Sequence, residues 1–135
     1  MDTQVRQENL LMESPFAYAD HLGPKSIHHF YEPATGLKAI LVVDNVAAGP
    51  AIGGCRMAPD VSLDECFRLA RAMTFKNAAA GLPHGGAKSV IMADPTDEAH
   101  KESLIRAFAQ MIGPIEDYIV GPDMGTNETA MGWVK

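Results

Sequence analysis

Apolar and polar residues alternate along the first half of the chain in a pattern that predicts β-strands. Ser26 to Glu32 and Leu37 to Asp44 are two such segments, and Pro33 to Gly36 between them supplies the proline and glycine that a turn favours. Together they predict an antiparallel hairpin. A third strand is expected at Ala51 to Met57.

After Pro59 the spacing of apolar residues changes to that of a helix. Asp60 or Ser62 can cap it, and Gly81 and Pro83 end it after Ala80. The apolar residues recur at three- and four-residue spacing: Leu63, Phe67, Ala70 and Met73.

The following segments continue as strand, helix and strand. Ser89 to Met92 and Tyr118 to Val120 are short apolar runs suited to buried strands, and Asp97 to Met111 is an amphipathic helix. Alternating strands and helices predict parallel crossover connections. We therefore expect an α/β fold with three α/β/α layers and a mixed sheet, antiparallel at the N-terminal hairpin and parallel later.

Both ends of the chain carry short apolar patterns typical of helices. Within Met1 to Asp20, three residues predict a short helix packed against the body: Leu10, Leu11 and Phe16. At the other end, Thr126 or Asn127 can cap a helix that has only begun at Lys135. We therefore expect the chain to be a fragment of a longer protein.

The net charge of the chain indicates which kinds of molecule it binds. Eleven Lys and Arg against 17 Asp and Glu give a formal net charge of -6 over 135 residues, which does not favour nucleic acid or an anionic membrane. Small molecules or other proteins are the expected partners. Cys55 and Cys66 show no disulfide pattern and no metal-ligand spacing with the histidines, so we expect reduced thiols, a cytoplasmic protein and no metal site.

The segment GLPHGGAKSVIMADP, from Gly81 to Pro95, places two glycines close before a lysine. Such glycines permit close approach of the backbone to a ligand. A phosphate-binding P-loop is disfavoured because Ala87 separates Gly86 from Lys88, and because the segment follows a helix rather than a strand.

Four segments resemble, in order and spacing, those of the glutamate/leucine/phenylalanine/valine dehydrogenases. Gly81 to Pro95 is similar to the active-site lysine signature of these enzymes. The other three are GPAIGGCRM at Gly49 to Met57, AMTFKNAAAGLP at Ala72 to Pro83 and GPDMGTNETAMGW at Gly121 to Trp133. The resemblance covers Ile27 to Lys135 and is strongest to leucine and valine dehydrogenase-like members.

This resemblance implies that residues 1–135 are the N-terminal substrate-binding and subunit-pairing domain of an amino acid dehydrogenase, a homo-oligomer. The implied cofactor is NAD, with NADP as an alternative. The chain contains no G-x-G-x-x-G motif after a strand, so the cofactor is expected to bind mainly to a C-terminal nucleotide-binding domain, and the fragment alone is expected to be inactive.

Carried over position by position, the resemblance makes Lys76 the group that binds the substrate α-carboxylate and Lys88 the catalytic lysine. Asp123 becomes the carboxylate that handles protons near the amino group. Oxidative deamination requires such proton transfer, and a lysine acts as a base only when neutral. We expect burial of Lys88 beside the ammonium group of Lys76 to disfavour its charged form.

The resemblance also indicates the substrate class. Ile52 occupies the position where glutamate-specific members carry a lysine, and an isoleucine cannot pair with a side-chain carboxylate. Gly121 leaves room for a side chain, and Gly54 and Met73 complete the expected substrate-binding set. Leucine, valine or isoleucine is favoured and phenylalanine is possible, because the Gly121 segment is similar to the phenylalanine branch.

Two other functions remain open at this point. The chain can be a non-catalytic oligomerisation or amino acid-binding module of the same fold. It can also belong to an enzyme in which Lys88 forms a Schiff base with a keto acid, which borohydride trapping would reveal.

Overall fold

The computed structural model describes residues 14–122, which form one five-stranded sheet with a helix on each face. The five strands are β1 (Ser26–Glu32), β2 (Leu37–Asn45), β3 (Ala51–Ala58), β4 (Gly85–Met92) and β5 (Tyr118–Pro122). The two helices are α1 (Leu63–Ala79) and α2 (Glu98–Ile112). The predicted three-layer α/β/α architecture is confirmed.

The sheet is mixed, as predicted, with strand order β1-β2-β4-β3-β5. β1 and β2 form the antiparallel hairpin, and β2 also pairs antiparallel with β4. β3 runs parallel to both β4 and β5. β4 therefore lies at the centre of the sheet, between an antiparallel and a parallel neighbour.

Alternation of side chains along the strands divides the core into two layers. On β2, Leu41 and Val43 pack with the α2 residues Ile105 and Phe108. Val42, between them, packs with residues of the opposite layer, beneath α1: Val61, Cys66, Ala70 and Val90. The two crossover helices thus cover opposite faces of the same sheet.

The start of β4 is a correction to the sequence prediction, which began this strand at Ser89. The strand begins at Gly85, and Gly86 pairs with both Ile52 of β3 and Asn45 of β2. Glycine is required here because a Cβ on Gly86 would lie 2.0 Å from the backbone nitrogen of Thr74 in α1. Close packing of helix on strand, rather than a loop, explains the Gly-Gly pair.

The helix predicted within Met1 to Asp20 is wrong for the part that the structure describes. Residues 14–20 contain a turn, and Phe16 is 78% exposed instead of packed against the body. Tyr18 makes the packing contact, with its ring 4.6 Å from that of Phe67. Leu10, Leu11 and the helix expected at Thr126 lie outside the described residues.

Candidate active site

Helix α1 brings two of the predicted site residues to the face of the sheet. It begins after Ser62, whose hydroxyl accepts a hydrogen bond from the backbone N–H of Glu65 at 3.1 Å. Met73 and Lys76 are three residues apart and therefore lie on the same side of the helix. That side turns towards β3 and β4.

Strands β3 and β4 contribute the facing residues. Because Ile52 pairs with Gly86 in a parallel register, Gly54 lies level with Lys88 on the neighbouring strand. Side chains two residues apart project from the same face of a strand. Ile52 and Lys88 therefore project on the α1 side of the sheet.

One cavity of about 360 Å³ lies between α1 and these strands. Six of the seven predicted site residues line it: Ile52, Gly54, Met73, Lys76, Lys88 and Gly121. The seventh, Asp123, lies outside the described residues. The volume falls within the range of roughly 300–1,000 Å³ that is typical of small-molecule sites.

Lys88 is buried at the floor of this cavity, with 6% of its surface exposed. Burial lowers the pKa of its ammonium group, and the Arg56 guanidinium lowers this pKa further. The pKa of Lys88 is therefore lowered, as predicted. The neighbouring cation that contributes to this shift is Arg56 rather than the predicted Lys76. Lys76 is an exposed residue at the end of α1, where solvent screens its charge.

Four residues that line the cavity were not predicted from sequence, namely Gly53, Arg56, Leu69 and Ala72, and of these Arg56 carries a charge. Its Nη1 donates to Oε1 of Glu65 in α1 at 2.9 Å. The signal was present in the GGCRM segment, because Arg56 alternates with the buried Cys55 and Met57 and so shares the face of Gly54. Among the described residues, three cationic side chains therefore line the cavity, and Glu65 beside it holds one of them.

A buried hydrogen-bond chain supports β3 from the opposite face. The Tyr118 hydroxyl lies 2.8 Å from the Ser89 hydroxyl and donates to the carbonyl of Gly53 at 3.3 Å. Burial raises the pKa of the Tyr118 hydroxyl well above its usual value, so it remains a donor. This chain connects β5 and β4 to the backbone beside the cavity.

A second network anchors the middle of α1 to β2. Asp44, with no exposed surface, accepts hydrogen bonds from Arg71 Nε at 2.8 Å and from Thr74 Oγ1 at 2.7 Å. Arg71 also donates to both carboxylate oxygens of Asp20. Thr74 directly follows Met73, so this network holds the helix where it lines the cavity.

The other candidate reactive groups among the described residues are two cysteine thiols and the side chains that could bind a metal ion. Cys55 and Cys66 are buried and form no disulfide, and burial raises their thiol pKa values to about 11 and about 12. Among the described residues there is no group of His, Cys, Asp and Glu suited to a metal ion. Within residues 14–122 neither helix is long and apolar enough to cross a membrane.

The sequence itself matches a known family over most of its length. Residues 24–135 match the family described as Glu/Leu/Phe/Val dehydrogenase, dimerisation domain. The chain belongs to this family. The resemblance noted from the four sequence motifs is thereby confirmed.

Two dehydrogenases with different substrates have nearly the same sequence identity to this chain. The chain is 39% identical over 121 residues to phenylalanine dehydrogenase of Thermoactinomyces intermedius, and 38% identical over 121 residues to leucine dehydrogenase of Geobacillus stearothermophilus. Each alignment covers 86% of this chain and 33% of the relative. The chain thus spans about a third of the length of these relatives, and identity alone does not separate the two substrates.

The fold is similar to that of a solved amino acid dehydrogenase structure. The hetero-hexameric glutamate dehydrogenase from Thermus thermophilus, in its Leu-bound form, superposes with a TM-score of 0.80 at 29% identity. The superposition covers 98% of this chain and 36% of that one. Fold and sequence therefore point to the same family.

Proposed function

We propose that this chain is the substrate-binding domain of an enzyme that catalyses the reversible oxidative deamination of an apolar L-amino acid. The observation that carries the proposal is that six residues selected from separate sequence motifs line a single cavity. Membership of the dehydrogenase family and similarity to leucine and phenylalanine dehydrogenases support it.

In the proposed mechanism, Lys76 binds the substrate α-carboxylate at the mouth of the cavity. A lysine ammonium supplies three donors on a flexible stem, which suits an anion at a solvent-exposed position. Ile52, Met73 and the open space at Gly121, where an added Cβ would meet no atom within 4 Å, receive the substrate side chain.

Lys88 acts in this mechanism as the proton acceptor. Its burial and its neighbour Arg56 favour the neutral amine, which can take a proton from the attacking water or from the amino group. Asp123 is proposed to exchange protons with the substrate nitrogen. The nicotinamide cofactor, when bound, supplies the hydride acceptor.

We propose that the cofactor, NAD or NADP, binds to a domain outside these 135 residues. The chain has no G-x-G-x-x-G motif that would cradle a dinucleotide pyrophosphate, and its relatives are about three times as long. The subunits are proposed to associate through the present domain, which carries the family description of a dimerisation domain.

A spectrophotometric screen of the complete gene product tests this function. We expect formation of reduced cofactor with leucine, valine, isoleucine or phenylalanine, and little with glutamate. Lys88→Ala is expected to lower kcat by roughly 10²–10⁴-fold, the contribution typical of general acid–base catalysis. Absence of turnover with every apolar and acidic amino acid would favour the non-catalytic binding module instead.

A further inference from the structure

Arg56 and Lys88 are neighbours on the same face of the sheet. Arg56 pairs with Val90 in the parallel register of β3 and β4, so Lys88 lies one diagonal step away. Alternation along both strands directs the two side chains to the α1 side. Both line the cavity described above.

Glu65 fixes the position of the Arg56 guanidinium. The carboxylate lies in the first turn of α1 and accepts a hydrogen bond from Arg56 Nη1 at 2.9 Å. The side chains of Arg56 and Glu65 are 20% and 38% exposed, so the pair is partly shielded from water. A partly buried charge acts on a neighbouring ionisable group more strongly than a solvated one.

We propose that the ion pair between Arg56 and Glu65 is a positioning pair that sets the protonation state of Lys88 through the balance of its two charges. The proposal rests on the proposed role of Lys88 as the proton acceptor. Neither member of the pair needs to contact the substrate to have this effect.

The two charges of the pair have opposite effects on the pKa of Lys88. The guanidinium of Arg56 lowers the pKa of Lys88, whereas the carboxylate of Glu65 raises it. Removal of Arg56 should therefore raise the pKa of Lys88, and removal of the Glu65 charge should lower it. Loss of local packing would act differently, because entry of water into the cavity raises a depressed lysine pKa whichever residue is replaced.

Among the described residues, the buried thiols of Cys66 and Cys55 also raise the pKa of Lys88, ahead of Glu65. Burial raises their own pKa values to about 12 and about 11, so both thiols stay protonated at neutral pH. On α1, Cys66 donates from its thiol to the carbonyl of Lys88 at 3.2 Å, and Lys76 lies exposed at the end of the helix. On β3, Cys55 is a buried thiol with a raised pKa. On β2, Asp44 lies on the same face but is held by Arg71 and Thr74.

Competitive labelling of the complete gene product with an amine-reactive anhydride, across a pH series, tests the proposal. Peptide mass spectrometry reports the extent of labelling at Lys88, and the exposed Lys38 in the same chain serves as the internal reference. We expect Arg56→Met to move the labelling midpoint of Lys88 to higher pH and to decrease its labelling several-fold at neutral pH.

Glu65→Gln should move the midpoint in the opposite direction, and Arg56→Lys, which keeps the positive charge, should remain close to the unmodified protein. Midpoints that move the same way in Arg56→Met and Glu65→Gln, or that do not move at all, would overturn the proposal. The readout needs no turnover. Opposite shifts in an enzyme inert towards amino acids would retain the pair's role and reject the dehydrogenase function.

Discussion

Lys88 combines a buried position with a proposed function, proton acceptance, that requires the amine to be uncharged. The folded protein lowers the pKa of this lysine, first by burial and then through Arg56. Protonation of Lys88 therefore opposes folding, and this cost is fully present below the folded-state pKa. It disappears as the pH rises through the ordinary value for lysine in the unfolded chain.

Replacement of Lys88 by methionine is accordingly expected to stabilise the protein at neutral pH. Urea unfolding should give a larger free energy of unfolding for Lys88→Met than for the unmodified protein, and the difference should shrink at alkaline pH. Lys38→Met, at an exposed position, is the matched control. A gain that is independent of pH would contradict the assignment of a charge cost to Lys88.

Ile52 carries the prediction about substrate class. A lysine at this position would place an ammonium where an apolar side chain is proposed to bind. We expect Ile52→Lys to lower kcat/KM for leucine by about 10–200-fold. An apolar pocket typically discriminates by this factor between substrates that differ by one methylene group. Steady-state kinetics with leucine and glutamate measure it, and an unchanged preference for leucine would show that Ile52 does not contact the substrate side chain.

Six residues that line the cavity were selected through the family resemblance, whereas the action of Arg56 on Lys88 was not predicted. Lys76, Lys88 and Ile52 stand in motifs whose spacing is visible along the chain. Arg56 acts on Lys88 through the pairing of two strands separated by a whole helix. Sequence patterns report local geometry, and such a contact depends on the register of the sheet.

Helix α1 is the element whose placement most directly shapes the cavity. It is anchored to β2 by the buried Asp44, which receives hydrogen bonds from Arg71 and Thr74. Removal of one partner of a buried, hydrogen-bonded ion pair leaves the other charge without compensation in a medium of low polarity. The site should therefore be sensitive to changes at Asp44 although this residue does not line it.

Asp44→Ala is expected to lower the free energy of unfolding by about 3–5 kcal/mol, measured by denaturant titration. The control is Glu102→Ala, which removes the exposed ion pair between Glu102 and Arg106 on α2 and should cost about 1 kcal/mol or less. Equal effects of the two substitutions would argue against the anchoring role of Asp44.

Element boundaries followed the sequence where local signals set them. Ser62, one of the two predicted cap residues, caps α1, and the turn before Leu37 closes the hairpin as predicted. The start of β4 differed from the sequence prediction. Gly85 and Gly86 have the composition of a loop, but they belong to the strand because this segment pairs with β2 on one side and β3 on the other. Tertiary contacts override local propensity at such positions.

At the scale of the whole molecule, the fold was predictable because four motifs and the alternating pattern of strands and helices agree with one another. The contact of Tyr18 with Phe67 was not, since it joins two segments far apart in sequence and replaces the packing expected for Phe16. Which of two nearby aromatic residues packs against a distant helix depends on the shape of the folded surface.

We propose that the cavity between α1 and the β3–β4 pair binds the amino acid substrate. Determination of the structure of the complete gene product with bound leucine or its oxo acid tests this claim most directly. We predict the substrate α-carboxylate at hydrogen-bonding distance, about 3 Å, from Nζ of Lys76, with the α-carbon facing Lys88. A ligand bound at another site, with this cavity empty, would show that the cavity is not the substrate site.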